Sequence, residues 1–479
     1  MKRLIETELQ AWATETNRKP LILRGARQVG KTYSIRKFGK SFRYFAEINF
    51  EEKPDARLFF KEALSAQPLC EKLAAFTGVP IHAGETLLFF DEAQACPQVL
   101  AALRYFYEQL PGLHVIAAGS LLEFALEQTP SLGVGRLTSR FMYPLTFPEF
   151  LEAINESALL SMVDKATFDA PLDIPFHRRL SDYLRTYMLV GGMPAAVQTY
   201  IDTRDLQQVM HVLDDLILTF QDDFGKYRKR VPLERLHDTF HSVALQTGRK
   251  FVCATVDKNA KSTSILATLD LFVKAGLVHQ VFHTHAQGLP LGAQLDKRRF
   301  KALLFDVGIH QRLSGLDISR YLITEDAALV NNGSLAELLT GLHLVASQSS
   351  HRRPELYYWH RETPGANAEV DYVIQLDNQV CPVEVKAGQR GGMQSLRVFL
   401  KERGIAFGIR ASLENFGRLS DVGILPLYAT HRLNNGSLGR SSLVHSFISA
   451  LVMARILSFA SLGPAVLGSR SLARRPVSA

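Results

Sequence analysis

Residues 25–32 read Gly25-Ala26-Arg27-Gln28-Val29-Gly30-Lys31-Thr32, two glycines spaced to let the backbone curl, with a lysine and a hydroxyl directly after the second. In such a loop the backbone N–H groups converge on phosphate oxygens, the lysine reaches the β- and γ-phosphates, and the threonine hydroxyl ligates Mg2+. The pattern predicts a nucleotide site, with ATP and Mg2+ as ligands, built from Gly25 through Lys31, Thr32 and Tyr33. A helix starting near Lys31 would turn its positive dipole end toward the same anion.

Two neighbouring patterns extend this chemistry. The apolar run Thr86-Leu-Leu-Phe-Phe90 ends in Asp91-Glu92; one carboxylate can hold Mg2+ through water, and the next can polarise the attacking water. A solvated helix cap is the alternative for this pair. A second run, His114-Val-Ile-Ala-Ala118, ends in Gly119-Ser120. That places a small hydroxyl to sense the γ-phosphate or orient the water, or else to cap a helix. Arg136 and Arg140, in GRLTSRF, are arginine-finger candidates, with ion pairing as the other reading.

A separate constellation lies toward the C-terminus. Glu337 sits in the helical pattern SLAELLTGLHLV, Glu369-Val-Asp371 opens a strand, and Cys381-Pro-Val-Glu384-Val-Lys386 forms the next. Strand side chains alternate, so Glu384 and Lys386 share a face and can meet Asp371 on the neighbouring strand. Such a group can bind one or two Mg2+ ions through Asp371 and Glu384, with Glu337 as an outer ligand, while Lys386 positions water for phosphodiester attack. The alternative is an internal salt-bridge network, since burying acids and a lysine among Val and Ile is costly unless they serve a metal or each other.

The elements that must position these groups follow from the pattern. Strands are expected near 20–24, 44–49, 86–90, 114–118 and 139–144 with helices between them, a three-layer α/β/α sheet over residues 1–145. A further strand, Tyr44–Asn49, is expected between the loop strand and the Asp-Glu strand, an arrangement that resembles the AAA-like branch of P-loop proteins. Residues 146–230 turn helical, with a Gly191-Gly192-Met193-Pro194 turn, and read as a lid or connector. Residues 231–320 show helix, helix, hairpin, the order of a winged helix; a DNA-binding version would set the helix from Ser262 in the major groove. That helix has only Lys261 and Lys274 nearby, so protein packing is the competing role. Residues 321–430 form an α/β unit around the second constellation.

Composition is ordinary for a globular chain of 479 residues, with 47% apolar and 21% charged residues. Cys70, Cys96, Cys253 and Cys381 show neither metal-ligand spacing nor a disulfide pattern, which suits a reducing cytoplasm. The N-terminus reads as an amphipathic helix rather than a signal peptide. No window offers eighteen uninterrupted apolar residues, so no integral membrane association is expected. Of the formal charge of +8, residues 431–479 supply +6 through six arginines and no acids, leaving the body near-neutral. This atypical basic tail is either a surface-binding segment or a dispensable extension.

The strings GARQVGKT (25–32), LLFFDEAQ (87–94), AAGSLLEF (117–124), GRLTSRFMYPLTFPEFL (135–151), GGMPAA (191–196), LFDVGI (304–309), EVDYVI (369–374) and PVEVKAG (382–388) together resemble a bacterial and archaeal family of AAA-like P-loop ATPases with a C-terminal domain on a PD-(D/E)xK nuclease-like core. The resemblance covers about residues 1–430. It implies Lys31 and Thr32 on phosphate and Mg2+, Asp91 on Mg2+, Glu92 as catalytic carboxylate, and Glu337, Asp371, Glu384 and Lys386 as the nuclease-like set. The expected activity is ATP hydrolysis driving the C-terminal domains, either as an ATP-gated nuclease acting on DNA or RNA or as a regulatory switch with a silent nuclease-like domain. Self-association is a candidate, because AAA-like sheets often take the finger arginine from a neighbouring subunit.

Overall fold

The first 145 residues form five parallel strands: β1 (Leu21–Arg24), β2 (Tyr44–Asn49), β3 (Thr86–Asp91), β4 (His114–Ala118) and β5 (Thr138–Phe141). Positions throughout β3 and β4 are buried, which is why these strands read as continuous apolar runs without alternation. The structure, a computed structural model, describes residues 1–61, 65–128, 135–227, 231–315, 333–361, 368–387 and 392–434. These fall within one compact unit, and most of the basic tail lies outside them.

The strand order is β2-β3-β4-β1-β5. This corrects one expectation: Tyr44–Asn49 separates β1 from β3 in sequence only. In the sheet it takes the edge beyond β3, and His114–Ala118 lies between the loop strand and the Asp-Glu strand. Register places Leu23 beside Ala118 on one side and Arg140 on the other, so the loops after β1 and β4 emerge side by side. Helices Ala66–Thr77 and Pro97–Gln109 cover one face through Leu69, Leu73, Val99 and Leu103. Helix Leu4–Ala13 covers the other, with Trp12 edge-on to His114.

Helices Phe147–Ala153, Ser157–Lys165, Ile174–Val190, Pro194–Thr203 and Leu206–Asp223 follow. The first opens with a reciprocal cap: Thr146 and Glu149 satisfy each other's backbone N–H groups, a pattern readable in Thr146-x-x-Glu149. Helices Leu233–Leu245 and Ser262–Lys274 precede the hairpin of β6 (Val278–Thr284) and β7 (Leu295–Leu304). The hairpin is not a free wing. It continues into a sheet of order β7-β6-β8-β9 with β8 (Leu356–His360) and β9 (Glu369–Val370).

The last sheet joins β10 (Tyr372–Leu376), β11 (Gln379–Val385), β12 (Gly408–Ser412), β13 (Gly417–Leu419) and β14 (Val422–Pro426) in the order β10-β11-β12-β14-β13. The Glu369-Val-Asp371 triplet therefore does not open one strand: Glu369 belongs to β9 and Asp371 stands at the turn into the next sheet. The folded body also runs past residue 430. Arg432, which composition groups with the tail, is 1% exposed and donates to the Val163 and Ala166 carbonyls, both at 2.7 Å.

Candidate functional site

The loop after β1 owes its shape to its glycines and to the segment beside it. Gly25 has φ +146°, and a Cβ there would stand 2.1 Å from the Met142 carbonyl oxygen; no other residue fits that approach. Gly30, at φ +98°, starts helix Lys31–Gly39. Lys31 is 8% exposed, and its ammonium donates to the carbonyls of Gly25 at 2.9 Å and Ala26 at 2.7 Å. Burial pulls this lysine down to about 8. Tyr33 points outward and is exposed.

Thr32 Oγ1 donates to Asp91 Oδ2 at 3.0 Å, so the loop and the end of β3 meet as the spacing requires. Asn49 Nδ2 donates to the same oxygen at 3.4 Å. Asp91 is 3% exposed, and burial pushes its carboxyl up to about 6. A buried acid beside a threonine hydroxyl fits Mg2+, which Thr32 and Asp91 would hold. Glu92 adopts φ +48° and accepts from Gln94 Nε2 at 2.5 Å. Gln94 Oε1 crowds the Gly119 Cα, so this amide, which the sequence did not single out, links the catalytic-carboxylate candidate to the turn before Ser120. Ser120, Gly25 and Ala26 line a common cavity of about 270 Å³.

The shift on Asp91 has a consequence for stability. A carboxylate whose pKa is higher in the folded chain stabilises the fold fully below about pH 4, and that contribution disappears as pH rises through about 6. Nucleotide-free Asp91→Asn should therefore be more stable than the wild type at pH 8, on the order of 2–3 kcal/mol, and indistinguishable near pH 4. Thermal scans at the two pH values check this.

Two residues missed by sequence reasoning brace the loop. Arg3 is 6% exposed; its guanidinium donates to the Val29 carbonyl at 2.8 Å, the Tyr143 carbonyl at 2.6 Å and Glu149 Oε1 at 2.9 Å. Glu149 is the capping residue of PLTFPEFL. The Thr146-x-x-Glu149 signal announced the cap, but nothing local announced the arginine. The outer side of the loop is covered as well: Arg27 pairs with Asp223 at the end of helix Leu206–Asp223, and a Cβ on Gly276 would stand 3.1 Å from the Ala26 nitrogen. Asp306 ties the Gly191–Pro194 turn to the same region, accepting from Gly192 N at 2.6 Å and Ile309 N at 2.9 Å.

The finger candidates fall elsewhere. Arg140 is 1% exposed and its guanidinium is taken by Glu8 at 3.3 Å and Glu15 at 3.0 Å, so it is an internal brace. Arg136 precedes β5, at the end of the parallel strands opposite the phosphate loop, and pairs with Glu108; within this chain it does not approach that loop. Helix Ser262–Lys274 exposes Thr263, Leu266, Ala267 and Asp270, and Lys274 is held by Glu127 and Asp270 at 2.6 and 2.8 Å. Of the two lysines nearby, only exposed Lys261, at the N-cap, is left on this helix for a phosphate backbone.

The C-terminal constellation assembles around a residue outside the predicted set. Lys301 of β7 has a side chain 0% exposed, with its Nζ 2.7 Å from Glu337, 2.6 Å from Glu369 and 3.7 Å from Asp371. Asp371 Oδ2 also accepts from Val385 N at 2.8 Å, and Lys386 pairs with Glu384 at 2.6 Å. Burial raises the carboxyls of Glu337, Asp371 and Glu384. Of the expected metal set, Glu337 and Asp371 face the Lys301 ammonium, while Glu384 faces Lys386. Among the described residues no group of three or more His, Cys, Asp or Glu is arranged to hold a metal ion.

Residues 17–151 match the AAA domain family. The N-terminal part of this chain is a P-loop ATPase domain. Beyond that domain, residues 181–320 match a domain of unknown function (DUF8612) and residues 332–429 another (DUF4143). No curated protein matches the chain. Similar solved structures include the Walker-type ATPase PABY2304 of Pyrococcus abyssi, at 18% identity over 65% of this chain and 95% of that one, TM-score 0.41. Others are the Aeropyrum pernix ORC1 protein in complex with DNA, at 13% identity over 67% and 95%, TM-score 0.28, and Drosophila ORC bound to DNA, at 15% over 65% and 84%, TM-score 0.24. No helix among the described residues is long and apolar enough to cross a membrane.

Proposed function

We propose that the chain binds and hydrolyses ATP with Mg2+ and passes the state of the site to its later domains. The observation that carries this reading is the Thr32–Asp91 hydrogen bond of 3.0 Å beside the buried ammonium of Lys31. Backbone N–H groups of residues 26–31 bind the phosphate chain, and Lys31 exchanges its bonds to the Gly25 and Ala26 carbonyls for bonds to phosphate. Mg2+ bound by Thr32 and Asp91 would neutralise charge on the phosphates. Glu92, steadied by Gln94, orients the attacking water and receives its proton, and Ser120 lies beside the loop where the terminal phosphate can be sensed. Positioning and electrostatic stabilisation supply the acceleration of an in-line displacement.

Glu92→Gln tests the assignment. Turnover should fall on the order of 10²-fold or more, the usual worth of a positioned general base, while ATP binding measured by calorimetry persists. Wild-type turnover in this variant would overturn the role given to Glu92.

For the later domains we favour a nucleotide-dependent switch with a catalytically silent C-terminal domain over an ATP-gated nuclease. The supporting observation is Lys301, whose buried ammonium pairs with Glu337 and lies 3.7 Å from Asp371, two of the acids that a nuclease would need for metal. Metal-dependent cleavage of DNA or RNA by the wild type, lost in Asp371→Ala, would reverse this preference.

A further inference from the structure

The residues of the C-terminal constellation do not fit a divalent ion as they stand, and the reason is specific. Lys301 enters from β7, in the stretch matched to the preceding domain, and reaches the acids of the next one. Its ammonium also lies over the Tyr358 ring, with Nζ 5.2 Å from the centroid. Mg2+ needs oxygen ligands at about 2.0–2.1 Å. An ion so close to Glu337 and Asp371 would lie within a few ångströms of a fixed ammonium, and like charges at that range in a buried site repel strongly.

We infer that Lys301 is a built-in counter-cation that closes the Glu337–Glu369–Asp371 cluster to divalent metal. This rests on the silent-domain reading above. Two further observations support it. The neighbouring Glu384 is 3% exposed and its Oε2 has no hydrogen-bond partner, so an acceptor is in place that the lysine does not serve. A cavity of about 530 Å³, lined in part by Glu337, Asp371, Lys386, His310 and Arg249, adjoins the cluster, so exclusion of ions is not a matter of access. Burial opposes the charge on Lys301, yet Glu337, Asp371 and Glu369 outweigh it and hold the lysine above its ordinary range. Removing the ammonium leaves acids that need a cation and a route by which one can arrive.

The test is Mn2+ binding to the full-length, nucleotide-free chain, read from the electron paramagnetic resonance signal of free Mn2+. Wild type and Asp371→Asn should bind the same number of ions, because the cluster contributes none. Lys301→Met should gain one ion per chain, Lys301→Arg none, and the gain should vanish in Lys301→Met/Asp371→Asn. If Lys301→Met does not fold, Lys301→Met/Glu369→Gln removes one charge of each sign and should show the same gain. A wild type that loses an ion on Asp371→Asn, or a folded lysine-free variant that gains none, overturns the inference. Failure of the silent-domain reading would show differently, as Asp371-dependent cleavage of nucleic acid by the wild type.

Discussion

Lys31→Ala is expected to remove ATP hydrolysis, with turnover down by on the order of 10²–10³-fold, the loss typical when one preorganised charge or donor is deleted from a transition-state site. Binding should fail with it. Calorimetric titration of ATP with Mg2+ into the variant should show no heat where the wild type shows saturable binding. The fold should survive, because the side chain bonds only the Gly25 and Ala26 carbonyls of its own loop and burial already disfavours its charge. That burial adds a pH signature. With the free lysine at about 8, wild-type affinity for ATP should decline above pH 8 as the ammonium is lost before nucleotide arrives. A constant affinity between pH 7 and 9.5 would contradict the role of Lys31.

Arg3→Ala is expected to act on both stability and the site. The Arg3–Glu149 pair has both side chains 5% exposed, and removing one partner of a buried pair costs about 3–5 kcal/mol because the other charge is stranded. Here the stranded acid also caps helix Phe147–Ala153, and the Val29 carbonyl loses the donor that fixes the phosphate loop. Thermal scans should show a loss of that size, with weaker ATP binding in whatever remains folded. Lys2→Ala supplies the contrast. Lys2 pairs with Glu152 at 3.1 Å, but its side chain is 69% exposed, and an exposed pair contributes at most about 1 kcal/mol.

The sequence made the first domain legible because its central strands β3 and β4 are buried on both faces and the polar residues of the candidate site follow them at once. Thr86–Asp91 reads as an apolar run closing on acids, and the structure puts Asp91 at the end of β3 in a hydrogen bond with Thr32. Strand order was less visible, since nothing local says whether Tyr44–Asn49 sits inside the sheet or at its rim. The braces were hidden for a different reason. Arg3 looks like an ordinary charge near a chain end, and its partner lies 146 residues away. Arg140 carried the type expected of a finger while Glu8 and Glu15, on the first helix and just beyond it, claimed it. Lys301 left one readable trace: a single lysine inside Phe300-Lys301-Ala-Leu-Leu, a position where a cation must find acids. Which acids, only the meeting of two sheets could tell.

Arg27 pairs with Asp223, and Gly276 packs against Ala26, so on the proposed reading of an ATP-bound loop these contacts are where the middle of the chain and the nucleotide would be linked. Under that proposal, if a molecule that docks on helix Leu206–Asp223 changes the affinity for ATP by some factor, bound ATP must change the affinity for that molecule by the same factor. Reciprocity of this kind makes nucleotide a reporter: a partner of the middle domains that grips through this helix can be found by what it does to ATP binding before its own binding site is known.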